Sequence, residues 1–272
     1  MTCRAWTTAR RASRKTWTGC RGCEVSGFEV VGDMLAGFGK PTTFVCPVHG
    51  AQPSFAGVDA LCPVCENERV LAAHAAEIHE RAKAARLEAS AIPVRFREAR
   101  LEDYRVNHGE RQQRALDVCT RFRDNLGGVM ERGNSLVMCG SAGTGKTHLA
   151  CALALAAMDA GYTARYATVV KAMRQVKDTY GRGSEQSVID AFVLADLLVL
   201  DEVGVQFGSD TERNIFFEII NDRYESRRPT IVISNLDKSG MLHFLGERTM
   251  SRLLHGGVEL IFDWADYRGG AA

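Results

Sequence analysis

The sequence predicts an α/β fold: a parallel sheet covered by helices on both faces, preceded by a small Cys/His-rich region and a helical arm. Three observations predict it. Short apolar runs alternate with helical patterns from Leu136 onward, as in a sheet built from strand–helix–strand units. Between the first such run and the helix after it, Gly140-Ser141-Ala142-Gly143-Thr144-Gly145-Lys146-Thr147 fits the phosphate-loop pattern G-x-x-x-x-G-K-[ST]. Upstream, Cys46, His49, Cys62 and Cys65 form two short-spaced pairs in a stretch too small to fold on a core of its own.

The 272 residues suit one large domain and a smaller appendage. Residues 1–40 carry Arg4, Arg10, Arg11, Arg14, Lys15 and Arg21 and no acid before Glu24. Despite a superficial likeness to a transit peptide, we read them as a loosely ordered basic leader, or as residues upstream of a true start at Met34. Residues 41–92 hold the Cys/His pairs and the arm. From Glu66 to Ser90 the chain has no Gly or Pro and is rich in Ala, Glu, Arg and Leu, which predicts a solvated helix ended by Pro93. Residues 93–272 form the α/β domain, entered through a basic connector over Pro93–Val106.

Within that domain, Gly109–Leu126 reads as a helix with an apolar stripe of Leu116, Val118, Cys119 and Phe122, broken by Gly127-Gly128. Strand and helix patterns then alternate. Leu136–Cys139 is a strand, His148–Ala160 a helix, Thr163–Thr168 a strand, and Thr168–Asp178 a helix with Thr168 as N-cap. Gln186–Asp196 is helical, Leu197–Leu200 a buried strand, and Thr211–Ser226 a helix stopped before Pro229. Thr230–Ser234 is a strand, Glu247–Leu254 a helix and Val258–Phe262 the last strand.

The net charge of +1 points to no partner class. No run of eighteen apolar residues exists, so a membrane-spanning helix is not expected, and the N-terminus lacks the apolar core of a secretory signal. Nine cysteines beside a phosphate loop suggest a reducing compartment, the cytosol by default, and metal binding rather than disulfides. Cys119, Cys139 and Cys151 sit in apolar runs and read as small core residues.

The spacing C-x₂-H-x₁₂-C-x₂-C over Cys46, His49, Cys62 and Cys65 gives the two tight knuckles of a tetrahedral Zn²⁺ site. Thiolate and imidazole favour zinc over calcium or magnesium. Four protein ligands leave no open position, so the role expected is structural. Cys20 and Cys23 have the knuckle spacing without a partner pair nearby: a second half-site, an alternative ligand source, or nothing. His74 and His79 fall on different faces of the arm and read as solvated.

In the phosphate loop the glycines let successive N–H groups turn inward, with the following helix N-terminus adding positive charge. Lys146 would reach the β- and γ-phosphates and the Thr147 hydroxyl would sit on Mg²⁺. The apolar strand ending Leu200-Asp201-Glu202 supplies Asp201 to hold Mg²⁺ through water and Glu202 to polarise the attacking water. Ile231–Ser234 ends in polar residues, of which Asn235, with Ser234 as fallback, would orient that water. Arg248 and Arg252 share one helix face, placed to reach a neighbouring subunit's nucleotide, and Arg268 to reach its own. For each arginine an ordinary surface role is the alternative.

Glu102–Val106, the loop with His148-Leu149-Ala150, Met173–Tyr180, Asp196–Val205, Leu245–Arg252 and Leu260–Arg268 together resemble the bacterial DnaC-type replicative helicase loaders, over roughly Val94–Arg268. The last two blocks are the specific ones. The resemblance implies an α/β P-loop AAA+ core, to which the small N-terminal zinc-binding region and helical arm read above are added. It implies an ATPase using ATP and Mg²⁺, with Arg252 as arginine finger and Arg268 as sensor-2 arginine. Residues 168–183 would line a single-stranded DNA path, with Lys171, Arg174 and Lys177 on phosphates and Tyr180 as a stacking surface; a solvated helix face is the alternative. The implied partners are a hexameric replicative helicase, single-stranded DNA and further copies of the chain in the ATP state. The N-terminal region departs from the family pattern, and zinc knuckle and arm would take over the grip on the helicase. Two rivals are a transposition helper of the IstB kind, against which the Leu260–Arg268 block argues, and a zinc-knuckle nucleic-acid adaptor with little hydrolysis, against which Asp201 and Glu202 argue.

Overall fold

The computed structural model describes residues 41–55, 62–180, 185–204 and 210–266. The expected leader, Met34, the Cys20/Cys23 pair, Tyr267 and Arg268 lie outside the described residues. The chain divides between Ala76 and Glu77 into two compact units.

In the first unit, β1 (Pro41–Cys46) pairs antiparallel with β2 (Gly50–Phe55), in register from Pro41 opposite Phe55 to Cys46 opposite Gly50. The sequence reading had the knuckle at Cys46-Pro47-Val48-His49 but not this hairpin, whose strands show no clean alternation. The turn closes at Gly50, whose φ of 69° suits a residue without Cβ. Then α1 (Pro63–Ala89) starts on a proline, which fits a first helical position because no N–H is needed there. The helix therefore begins three residues before the predicted Glu66, and none of its residues is buried. His74 and His79 are exposed, as expected.

The second unit begins within α1. Its end is tied by Ser90, whose hydroxyl donates to the Leu87 carbonyl and accepts from Ile92 N–H. Single 3₁₀ turns at Val94–Phe96 and Leu101–Asp103 lead to α2 (Glu110–Asp124). The break predicted at Gly127-Gly128 falls instead at Asn125, and both glycines lie within a short helix, α3 (Leu126–Arg132). Burial of Leu126 and Val129, three apart on one face, outweighs the cost of about 1 kcal/mol for each helical glycine.

From there strands and helices alternate: β3 (Leu136–Gly140), α4 (Lys146–Asp159), β4 (Ala164–Thr168), α5 (Val169–Lys177), α6 (Glu185–Val193), β5 (Leu197–Val203), α7 (Asp210–Glu225), β6 (Thr230–Ser234), α8 (Lys238–Leu254) and β7 (Val258–Phe262). The five strands run parallel in the order β4-β5-β6-β3-β7. Residues of β3 alternate between two cores. Leu136 and Met138 join Leu149, Leu153 and Phe262 on one face, while Val137 and Cys139 join Phe192, Phe216 and Leu198 on the other. Both sheet faces are thus covered, which is why its strands read as unbroken apolar runs. Cys119, Cys139 and Cys151 are fully buried, the small core residues the sequence suggested.

Two helices differ from expectation. α8 starts at Lys238 rather than Glu247, because the Asp237 carboxylate accepts Gly240 N–H as an N-cap and Met241 and Leu245 are buried; Gly246, with φ 75° and ψ 158°, kinks it. α6 ends at Val193, before the predicted Asp196, where the Arg223 guanidinium takes up the carbonyls of Phe192 and Val193. Among the described residues, no helix is long and apolar enough to cross a membrane.

Candidate functional site

The order of the strands builds the site. β6 lies between β3 and β5, so the loop after β3, the carboxylates ending β5 and the polar end of β6 meet at the C-terminal edge of the sheet. They line a cavity of about 590 Å³ with residues of the connector, including Arg95, Phe96, Tyr104 and Arg105.

Gly140 and Gly145 have φ of 122° and 93°, and a Cβ at Gly140 would overlap the Phe262 carbonyl oxygen. The loop carries its lysine at its centre: Lys146 is buried and its ammonium donates to the carbonyls of Gly140 and Ser141 at 2.8 and 2.6 Å. The loop is braced from outside by two aromatic residues. Tyr104 Oη and Trp264 Nε1 both donate to the Thr144 carbonyl, at 2.9 and 3.2 Å. Sequence reading had Tyr104 and Trp264 inside its diagnostic blocks but gave neither a role.

Asp201 is buried and fully engaged. Its Oδ2 accepts from Thr147 Oγ1 (2.9 Å) and Tyr166 Oη (2.8 Å), and its Oδ1 from Glu202 N–H (2.7 Å). Burial, and then the charge of Asp201, push the Tyr166 phenol far above its ordinary range, so its proton stays on Oη. Tyr166 sits on β4 and was missed, since nothing in a strand's apolar pattern marks one ring as a hydrogen-bond donor. Glu202 follows at φ 58°, within a register irregularity between β5 and β6 at Leu200/Val203. The left-handed backbone turns its exposed side chain towards the cavity.

At the end of β6 the two polar candidates separate. Ser234 is buried, and its hydroxyl donates to the Val203 carbonyl and accepts from Leu236 N–H. Asn235 is exposed and lines the cavity. Arg252 does not line it. Its guanidinium lies 5.7 Å from the Tyr224 ring centre, on a second surface shared with Arg248 and Thr249. On α5, Val169, Ala172, Met173 and Val176 are buried while Lys171, Arg174 and Lys177 are exposed, and Thr168 caps the helix by accepting Lys171 N–H. Lys177 pairs with Glu212; Lys171 and Arg174 form no ion pair among the described residues. Tyr180 is exposed just beyond.

In the first unit, Cys46 and His49 flank the hairpin turn, and Cys62 and Cys65 bracket the start of α1. Their four ligand atoms lie within 4.8 Å of one another. Nδ1 of His49 is 3.8, 3.6 and 3.2 Å from the sulfurs of Cys46, Cys62 and Cys65, and Cys46 and Cys65 sulfurs are 3.6 Å apart. Tetrahedral zinc with ordinary bond lengths needs about 3.6 Å between N and S and about 3.8 Å between sulfurs. The set fits the ion. Backbone N–H groups of His49 and Val48 hold the Cys46 thiol down to about 6, favouring thiolate. The other imidazole nitrogen, Nε2, is 3.4 Å from Glu68 Oε1, the outward partner a ligating histidine uses to fix its ring.

A phosphate loop after β3, adjacent carboxylates ending β5 and a covered parallel sheet in this order define the class: an ATP-binding protein with the P-loop AAA+ fold. The chain belongs to the IstB-like ATP binding protein family, whose model matches residues 64–257. It is 35% identical over 170 residues to the replicative helicase loader DnaC of Escherichia coli K12, covering 61% of this chain and 68% of that protein. With DnaC of Buchnera aphidicola subsp. Schizaphis graminum it shares 32% over 183 residues, 66% and 73% of the two chains. A crystal structure of the DnaC helicase loader superposes with a TM-score of 0.57 at 26% identity, covering 63% of this chain and all of that one.

Proposed function

We propose that this chain is a cytoplasmic ATPase that loads a hexameric replicative DNA helicase onto single-stranded DNA, with ATP as the switch. The observation that carries the reading is the 35% identity over 170 residues to a replicative helicase loader. The convergence of Lys146, Thr147, Asp201, Glu202 and Asn235 on one cavity supports a hydrolytic site.

In this reading the loop N–H groups and Lys146 clasp the β- and γ-phosphates, Lys146 exchanging its bonds to loop carbonyls for phosphate oxygens. Thr147 and, through water, Asp201 would hold Mg²⁺, which when bound would neutralise phosphate charge. Glu202 takes a proton from the attacking water, Asn235 orients it, and Arg252 enters from the next protomer. That Arg252 lines a surface other than its own nucleotide cavity supports action in trans. Arg268 would contact the γ-phosphate in cis. Lys171, Arg174 and Tyr180, with Lys177 once released from Glu212, would track single-stranded DNA. The zinc site staples the hairpin to α1, and this knuckle with its arm (residues 41–92) grips the helicase. Nucleotide then shifts an assembly equilibrium rather than driving translocation.

The IstB-like family match favours a second reading, a transposition helper that binds duplex DNA. One experiment separates them: capture of the host's replicative helicase and, in parallel, a cognate transposase, each with and without ATP. ATP-dependent retention of the helicase is expected. Retention of the transposase alone would overturn the loader reading.

A further inference from the structure

Asp201 is held from a direction the phosphate loop does not supply. Tyr166 projects from β4, the strand beside β5, two residues before Thr168, whose register partner is Asp201, and so on the same face of the sheet. Its ring is buried in the core that also holds Leu149 and Val199. Its hydroxyl donates to the same Oδ2 that accepts from Thr147. With Glu202 N–H on Oδ1, the carboxylate is fixed from three sides by β4, α4 and β5.

We infer that Tyr166 is a positioning residue for the Mg²⁺ of the nucleotide site, acting through Asp201. The argument rests on the nucleotide-site reading above and deepens it. A carboxylate near the end of a strand, beside the register irregularity at Leu200/Val203, is free to rotate about its side-chain torsions unless both oxygens are engaged. Tyr166 engages Oδ2 with a hydroxyl donor carried on a ring that is itself held in the core. Fixed Oδ2 then accepts the hydrogen bond of the Thr147 hydroxyl, which leaves a lone pair of Thr147 Oγ1 free of Asp201, where it would ligate a cation. The chain of contacts runs from Tyr166 to Asp201 to Thr147, each at hydrogen-bond distance. Outer partners of this kind set metal affinity by about 10–100-fold.

The test titrates MgCl₂ against binding of a fluorescent ATP analogue by the full chain, comparing wild type with Tyr166→Phe, which keeps the ring and removes only the hydroxyl. The expected result is unchanged analogue affinity in EDTA and a Mg²⁺ midpoint raised by about tenfold or more. The same substitution in an Asp201→Asn background separates positioning from a general loosening of the fold. If Tyr166 acts through Asp201 it shifts the midpoint no further there, whereas a structural effect adds in full. Equal midpoints for wild type and Tyr166→Phe, or full additivity in the double variant, would overturn the inference while leaving the nucleotide site standing. A wild type whose analogue binding is indifferent to Mg²⁺ would overturn the cation site itself, and this role with it.

Discussion

Arg223 offers the sharpest quantitative test of the fold. It is fully buried on α7 and forms no ion pair with a carboxylate among the described residues. Its guanidinium instead donates to the carbonyls of Phe192, Val193, Ala195, Asp196 and Pro229 and to Thr230 Oγ1, at 2.6–3.3 Å. It therefore closes the C-terminus of α6 and ties the entries to β5 and β6 together. Burial pushes the group down to about 9, which still leaves it charged at neutral pH. Two large effects oppose each other when Arg223 becomes Met. Removing a buried charge returns several kcal/mol of desolvation. Against that, dry carbonyls lose their donors at about 1–3 kcal/mol each, and bonds from a charged donor contribute about 1.5–3 kcal/mol each. With this many acceptors the second effect wins, and we expect a net loss of about 3–5 kcal/mol. For a domain of this size that lowers Tm by about 10 °C. The assay is thermal and urea unfolding of the full chain followed by circular dichroism. Because Asp196 and Pro229 precede their strands, at the edge of the sheet opposite Asp201, ATP affinity well below Tm should be unchanged. A loss under about 1 kcal/mol would refute the reasoning, since it would mean that desolvation cancels the carbonyl bonds.

Lys146→Ala should abolish binding of a fluorescent ATP analogue, whereas Glu202→Gln should bind it normally and hydrolyse ATP about a hundredfold more slowly in a phosphate-release assay. Normal turnover by Glu202→Gln would place the base elsewhere. Arg252→Ala should lose turnover, and mixing it with Glu202→Gln should restore part of it, because an interface with the pocket from an Arg252→Ala protomer and the arginine from a Glu202→Gln protomer is intact; a mixture as inactive as its parts counts against action in trans. Metal analysis of the full chain should find one zinc, and Glu68→Gln should weaken its retention against a chelator by about tenfold; a folded, zinc-free first unit would remove the site.

Much of the nucleotide site is legible in the linear sequence, because its parts are local. The glycines, Lys146 and Thr147 are contiguous, and a strand ending in Asp201-Glu202 carries its chemistry at its tip whatever lies beside it. The Cys46, His49, Cys62 and Cys65 cluster is similar: two knuckles of fixed spacing can converge only in a few ways. Parts that depend on a neighbouring strand were not legible. The sequence preferred Asn235 and kept Ser234 as fallback; what separates them physically is the Val203 carbonyl on the neighbouring strand, which consumes the serine hydroxyl. The start of α8 was hidden because Gly240 and Gly246 argue against a helix that Asp237, Met241 and Leu245 nevertheless support.

The chain by itself determined the class of fold, the phosphate loop, the paired carboxylates and the two Cys/His knuckles, since each follows from residue chemistry at short range. Tertiary structure alone decided that β6 separates β3 from β5, that Tyr166 and Thr147 share one oxygen of Asp201, and that Arg252 lines a surface other than its own pocket. The reason is physical. Strand order and the side chains brought together across it are set by how two apolar faces bury at once, a property of the packed sheet that no local pattern records.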